Sequence, residues 1–290
     1  MLHRRELFNA AIAVGAGSLL GGDSARAVPQ ATPPSKTIDT NISLFQWPFR
    51  RLPLDDVEAL VAKLRSLGII EAWASSFEGV LHRDIAGVNS RLAEVCGRYP
   101  ELIPIGCINP ELPNWEDDLR RCIDDYHMPG IRLHPNYHGY TLADPRFRQL
   151  LERATSAGRF IQITVALEDT RTQHPMVQVP DVDLAPLSDL MRSHLGAKVQ
   201  LLNDRPRGLL LDELAKTPGV YFDTARVEGT DGIKSLMQKI PRGRVMFGTH
   251  APFLIPEAAL IRTYESDLGE EELQSLMWTN ARQLRKAAQQ

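Results

Sequence analysis

Residues 198–247, KVQLLNDRPRGLLLDELAKTPGVYFDTARVEGTDGIKSLMQKIPRGRVMF, run through one pattern twice and begin it a third time. A short apolar run (198–202) leads into a stretch of helical period (209–216). A second run (220–222) leads into a second such stretch (232–239), and a third run follows (245–247). Strands buried on both faces read as continuous apolar runs, as a parallel sheet covered by helices requires. Working outward, further strands are expected at 37–44, 69–74, 102–108, 130–133 and 160–165. Helices are expected at 54–67, 84–98, 115–126, 145–157, 185–194 and 258–267, with a last one at about 270–286. Gly68, Gly158, Gly196 and Pro218 punctuate the helix ends. Eight strand–helix units match the ~250-residue size of a (β/α)₈ barrel. An open doubly wound sheet would alternate similarly, but no strand here is followed by a G-x-G-x-x-G turn. The expected fold is therefore α/β: a single-domain (β/α)₈ TIM barrel over 36–290 with an additional C-terminal helix. Its longest loop, 168–184, follows strand five.

The first 27 residues stand apart from this pattern. Arg4 and Arg5 precede an apolar stretch, residues 10–20, which ends near Ala25-Arg26-Ala27, an A-x-A-like cleavage site. The stretch falls short of the ~20 residues that a stable membrane-spanning helix needs. It reads as a twin-arginine export signal, handled by the twin-arginine export machinery, with 28–35 as a Pro-rich tether. A general secretion signal and a plain amphipathic N-terminus are the alternatives. The expected destination is the periplasm or the exterior, without stable membrane insertion.

Composition narrows the function classes further. The chain has 290 residues, a formal net charge of −3 and 43% hydrophobic residues. That is ordinary globular composition, with no basic run or aromatic-rich basic stripe, so nucleic acid is not an expected partner. Three cysteines, Cys96, Cys107 and Cys122, are neither a disulfide framework nor a zinc motif; they are expected in the core. Self-association into a homo-oligomer is left open.

In such a barrel the chemistry sits where strands pass into the following loops. Polar residues collect at those points: Asp39, Asn41 and Ser43 on strand one, Arg132 and His134 at strand four, and Thr164 at strand five. Arg171 and His174 follow in the loop after strand five, Asn203 ends strand six, Asp223 ends strand seven, and His250 follows strand eight. His250 is the simplest general acid–base, because its ordinary pKa near 6.5 suits that work. Arg132, His134 and Arg171 offer a grip for an anionic substrate group. Asp223 or Glu168 would orient a histidine or carry a second proton. Each has a bland alternative: a hydrogen-bonded structural histidine, an arginine paired across the barrel, a solvated loop residue. Asp39 is expected to hold loop backbone, and Trp73 and Trp115 to pack.

Three segments carry a resemblance to a known family. Asp39-Thr40-Asn41-Ile42-Ser43 is similar to a D-x-H-x-H strand-one motif. Phe247-Gly248-Thr249-His250-Ala251-Pro252 is similar to F-G-[ST]-D-x-P, and Asn280-Ala281-Arg282-Gln283-Leu284 to N-A-x-x-L. Together with residues 130–144, GIRLHPNYHGYTLAD, these resemble the amidohydrolase-related family over roughly residues 38–284. The resemblance implies a TIM barrel and hydrolytic chemistry on a divalent metal held by histidines on strands one, five and six and an aspartate after strand eight. The matching positions here are Asn41, Ser43, Thr164, Asn203 and His250, and neutral amide and hydroxyl oxygens are poor zinc ligands. The expectation is a site without the family's metal and with no other cofactor. His250, Arg132, His134 and Asp223 would be its catalytic groups; Asn41, Ser43, Thr164, Arg171, His174 and Asn203 would line the substrate.

Three functional readings follow. The chain is an exported hydrolase of a small, possibly carboxylate-bearing ester, lactone or amide. Alternatively it is a non-catalytic small-molecule binding protein, or a decarboxylase-like lyase on the same fold. A metal held elsewhere by His134, His138 or His174 is a weaker alternative, since Pro135 and Gly139 argue that 134–138 is a loop.

Overall fold

The structure, a computed structural model, describes residues 36–288. The export signal (1–27) and tether (28–35) read from the sequence lie outside the described residues. Eight parallel strands alternate with helices: Thr37–Leu44, Ile69–Ser76, the broken third strand Leu102–Pro104 and Gly106–Cys107, then Gly130–Leu133, Phe160–Thr164, Val199–Leu202, Val220–Asp223 and Val245–Met246. The first three pair in sequence order, as do the later ones from Gly106–Cys107 onward. Strand three breaks at Ile105, whose N–H still donates to Ala74 O at 2.8 Å, so the two sheets run on into each other. Strand eight returns to strand one through Thr40 N to Phe247 O (3.0 Å), His250 N to Asn41 O (2.9 Å) and Ser43 N to Ala251 O (2.9 Å). The sheet is therefore a closed barrel, as the strand count predicts.

The N-terminal end of the barrel is apolar. Ile38, Trp73, Ile105, Phe160 and Met246 pack there against Ala281, Leu284 and Ala288 of the last helical segment. Trp73 stacks on Phe160 with ring centroids 4.9 Å apart. Strand four opens with Gly130 because a Cβ there would lie 2.3 Å from the Phe160 ring. Cys96, Cys107 and Cys122 are buried free thiols, consistent with their reading as small apolar residues.

Midway up, the barrel is filled by polar side chains instead of the usual branched aliphatic layer. Arg132 Nε donates to Gln162 Oε1 (2.8 Å), and Gln162 Nε2 donates to Gln200 Oε1 (2.8 Å) and to Thr40 O (2.9 Å). Gln200 Nε2 donates to Thr40 Oγ1 (2.8 Å), which donates to Phe247 O (2.9 Å). A bulge makes this layer compatible with the one above it. Asp39 pairs with Ala72 and Ile42 with Ala74, so strand one carries one extra residue between those pairs. The side chains of the adjacent residues Thr40 and Asn41 thereby both bond to barrel partners.

Three expected elements take different forms. The helices expected at 115–126 and 270–286 are each interrupted by a wider turn, Arg121–Asp125 and Ser275–Thr279. Residues 134–138, expected as a loop, contain a single helical turn, Pro135–His138. Pro135 sits at its first position, where no N–H is needed, and Gly139 ends it in the left-handed region (φ 79°), so both residues favour that turn.

Candidate active site

Above the polar layer, at the C-terminal mouth, the ends of strands one, six and seven meet. Asn41 Nδ2 donates to Asp223 Oδ2 at 2.6 Å and to Asn203 Oδ1 at 2.7 Å. The Asn203 backbone N–H donates to Asp223 Oδ1 at 3.1 Å. Asn203 reaches inward because its backbone turns left-handed (φ 58°), a region that asparagine tolerates better than most residues. Gly248 lies directly behind this trio: a Cβ would come within 2.9 Å of Asp223 Oδ2 and 3.1 Å of Asn41 Cβ. Burial pushes the Asp223 carboxyl up to about 7 despite those donors.

Asp39 anchors the turn after strand eight. It accepts from Asn41 N and Thr249 N (3.0 Å each) and from Thr249 Oγ1 (2.5 Å). Burial raises its carboxyl to about 6. His250, also left-handed at φ 59°, donates from Nε2 to the Leu167 carbonyl at 2.8 Å. A carbonyl only accepts, so the proton sits on Nε2 and Nδ1 is the bare nitrogen. Burial holds this imidazole down to about 3. It is a neutral ring that fastens the loop after strand five.

Around the rim, a row of buried polar atoms has no protein partner: both ring nitrogens of His134, Thr164 Oγ1 and Asn203 Nδ2. The register places His134 level with Thr164, and Asn203 one residue beyond Leu202, the partner of Thr164. Leu133 pairs with Ile163 and Thr164 with Leu202, so His134, Thr164 and Asn203 end strands four, five and six in succession. Burial lowers His134 well below its ordinary value, so it too is neutral.

Several residues expected at the site serve elsewhere. Arg132 is not free to grip an anion: beyond Gln162, its Nη1 donates to Ile42 O (2.7 Å) and Ser43 Oγ (3.4 Å), and its Nη2 to Trp73 O (3.3 Å). Burial pulls its guanidinium down to about 10. Arg171 lies exposed on the rim, bidentate to Asp169 at 2.9 and 2.8 Å. His174 is exposed and stacks on Phe49, centroids 5.5 Å apart. A five-residue segment flanked by proline and glycine reads as loop, yet His138 lies in the Pro135–His138 turn with its Nε2 on the Gly79 carbonyl (3.0 Å). Among the described residues no three His, Cys, Asp or Glu side chains come together as a metal-holding group.

The mouth is also covered. Trp47, Phe77 and Leu167 pack with Phe49, Tyr137 and Phe253 beside the buried polar residues. Trp47 meets Phe253 edge-on at 5.3 Å, and His250 stacks on Phe253 at 5.1 Å. Arg50 ties the cover down, donating to Glu168 at 3.0 Å and lying over the Phe253 ring at 5.3 Å. This cap escapes sequence reading because its members come from loops one, two, four, five and eight. The one hint is the aromatic density of residues 45–49, FQWPF. No helix among the described residues is long and apolar enough to cross a membrane.

Comparison with solved structures returns the same architecture. A 2,6-dihydroxybenzoate decarboxylase from Rhizobium superposes with TM-score 0.65 at 15% identity, covering 86% of this chain and 99% of its own. A 5-carboxyvanillate decarboxylase from Sphingomonas paucimobilis gives 0.69 at 13%, covering 87% and 99%. A TIM-barrel protein from Bordetella bronchiseptica gives 0.67 at 14%, covering 88% and 100%. At these identities the likeness concerns the fold. No curated protein matches the sequence. The amidohydrolase family profile matches residues 39–284, from the bulged first strand to the last helical segment, and the chain belongs to the amidohydrolase family.

Proposed function

We propose that this protein hydrolyses a small ester, lactone or amide by acid–base chemistry on Asp223, without the metal that its family's fold implies. The observation that carries the reading is a buried carboxyl poised at about 7 in one bonded cluster with Asn203, whose Nδ2 is buried and unengaged. A base is most effective when its pKa lies near the working pH, and a free amide donor suits a developing oxyanion.

The residues present do not fit a metal. At the family's ligand positions the Asn41 amide nitrogen faces both Asn203 and Asp223, holding them as a hydrogen-bond donor. Asn and Thr oxygens are weak partners for a zinc-like ion, and His250 is turned to the Leu167 carbonyl. Metal analysis of purified protein is expected to give well under one equivalent.

In the proposed reaction the Asp223 carboxylate takes a proton from water as the water oxygen bonds to the substrate carbonyl carbon. The carbonyl π pair moves onto its oxygen, which accepts from Asn203 Nδ2. The C=O then re-forms, the C–O or C–N bond breaks, and Asp223 returns its proton to the leaving oxygen or nitrogen. Neutral His134 and Thr164 supply further hydrogen bonds for orientation. Because Arg132 is committed to the barrel wall, the reacting end of the substrate is uncharged. The aromatic cap must part for entry and release, as lids do in many enzymes.

A panel of esters, lactones and amides tests the reading. Turnover is expected to rise through an acid limb near pH 7 and to fall at least about 10²-fold in Asp223→Asn, while His250→Ala keeps the limb. Undiminished turnover in Asp223→Asn removes this mechanism. No turnover, together with thermal stabilisation by a panel member, makes the protein a binding protein on the same fold.

A further inference from the structure

A second feature lies on the flank of the barrel, between the loops after strands six and seven. We propose that this groove is a binding site for a doubly charged tetrahedral oxyanion of the phosphate class. The cavity measures about 460 Å³, with Leu211 and Leu236 among its apolar lining and Arg205, Arg207, Arg226 and Lys239 bringing positive charge. That volume holds a phosphate with a modest organic group attached.

Arg226 is the central observation. Its side chain is only 10% exposed, and its nearest carboxylate oxygen, on Asp169, is 3.9 Å away, beyond hydrogen-bond reach. Asp169 is already held in a two-point pair by Arg171 and approached by Arg205 at 3.4 Å. The other acids nearby, Glu228 of the groove lining among them, stay beyond hydrogen-bond reach of the cations. Glu228 reaches Arg205 at 3.8 Å, Asp212 reaches Lys239 at 3.9 Å, and Asp181 acts on Arg226 from beyond ion-pair range. Arg207 is exposed and makes no close ion pair among the described residues; its charge acts on the buried Asp204 carboxyl from farther off. A nearly buried guanidinium with unused donors calls for a charged acceptor, and its planar fork matches phosphate oxygens.

The backbone adds to this. The helices Gly208–Lys216 and Gly232–Lys239 both start at the groove, with Gly208 and Gly232 in its lining. Neither start has a side-chain cap, and neither first turn carries an acid. The start at Gly208 therefore adds its partial positive charge to that of the arginines, whereas Asp231, at the cap position before Gly232, offsets the other.

Isothermal titration at pH 7.5 and fixed ionic strength tests the site with inorganic phosphate, acetate and chloride, using the full chain. Saturable phosphate binding is expected, with acetate at least about tenfold weaker and chloride silent. Arg226→Gln and Arg207→Gln should each weaken phosphate about tenfold or more. Arg146→Gln, on the helix after strand four, should leave it unchanged. Because Arg207 is exposed, its variant tests the groove even where loss of Arg226 destabilises the fold. Absence of saturable phosphate binding overturns the proposal. So does wild-type affinity in Arg207→Gln, or acetate binding as tightly as phosphate. The readout is binding, so it is independent of hydrolysis at the mouth.

Discussion

Replacing Asp223 by Asn should change how stability depends on pH, and the structure gives the sign and size. In the native state burial holds the Asp223 carboxyl at about 7 against an ordinary value of 3.8. Between those values the folded protein keeps a proton that the unfolded chain has released. Stability from that proton is complete below about pH 4 and is lost as pH rises through 7, at about 1.4 kcal/mol per pH unit. Over the whole window the wild type should lose roughly 4 kcal/mol relative to Asp223→Asn, which is neutral throughout. The Asn oxygen can still accept from Asn41, while its amide nitrogen cannot accept from the Asn203 N–H; that loss is the same at every pH, so the pH dependence of the difference isolates the charge. The assay is denaturant unfolding of both proteins at half-unit steps from pH 4 to 8. The expected result is a stability difference that grows with pH in favour of the variant and levels off above 7.5. A flat difference, or one that shrinks as pH rises, would refute a carboxyl held protonated by burial, and the proposed base with it.

Other outcomes follow from the same contacts. Gly248→Ala should cost about 1–3 kcal/mol by unfolding midpoint, because its methyl group would press on Asp223 and Asn41. Arg132→Met should cost about 3–5 kcal/mol, since it strips the buried carbonyls of Ile42 and Trp73 of a charged donor; a near-neutral result would show that the polar layer repacks. Trp47→Ala should cost about 3–5 kcal/mol and accelerate hydrogen exchange at residues 164–168 beneath the cap. Separately from these contacts, we propose from the sequence that residues 1–27 are a twin-arginine signal; Arg4→Lys with Arg5→Lys should then hold the chain in the cytoplasm in a fractionation assay, and delivery unchanged by the pair would sink the assignment.

The barrel is legible because its strands are buried on both faces. Runs such as VQLL and VYF stand out, and their spacing counts to eight without tertiary information. What hides is the interior polarity. Gln162 and Gln200 sit within apolar runs, and their sequence separation says nothing of the hydrogen bond that joins them. Arg132 reads as a substrate grip because an arginine at a strand end advertises charge, whereas four hydrogen bonds commit its guanidinium to the barrel wall and the neighbouring glutamine. Asn41, Asn203 and Asp223 can each be placed at the mouth by strand counting. Their convergence depends on a bulge and a left-handed turn that side-chain chemistry alone does not announce. His250 shows the same limit: its type suggests proton transfer, while burial against Leu167 and Phe253 gives it a neutral, fastening role.

The polar layer at mid-barrel has a consequence of its own. Side-chain amides can ordinarily be flipped end for end, and a row of them admits several arrangements. Here the row starts at a guanidinium, which can only give hydrogens, and finishes at a peptide carbonyl, which can only receive them. Every member in between is forced to face one way, so the row has a single solution and a fixed polarity across the barrel. An interior that would otherwise be a source of degeneracy becomes a directional key, and it locks the mutual setting of strands one, four, five, six and eight.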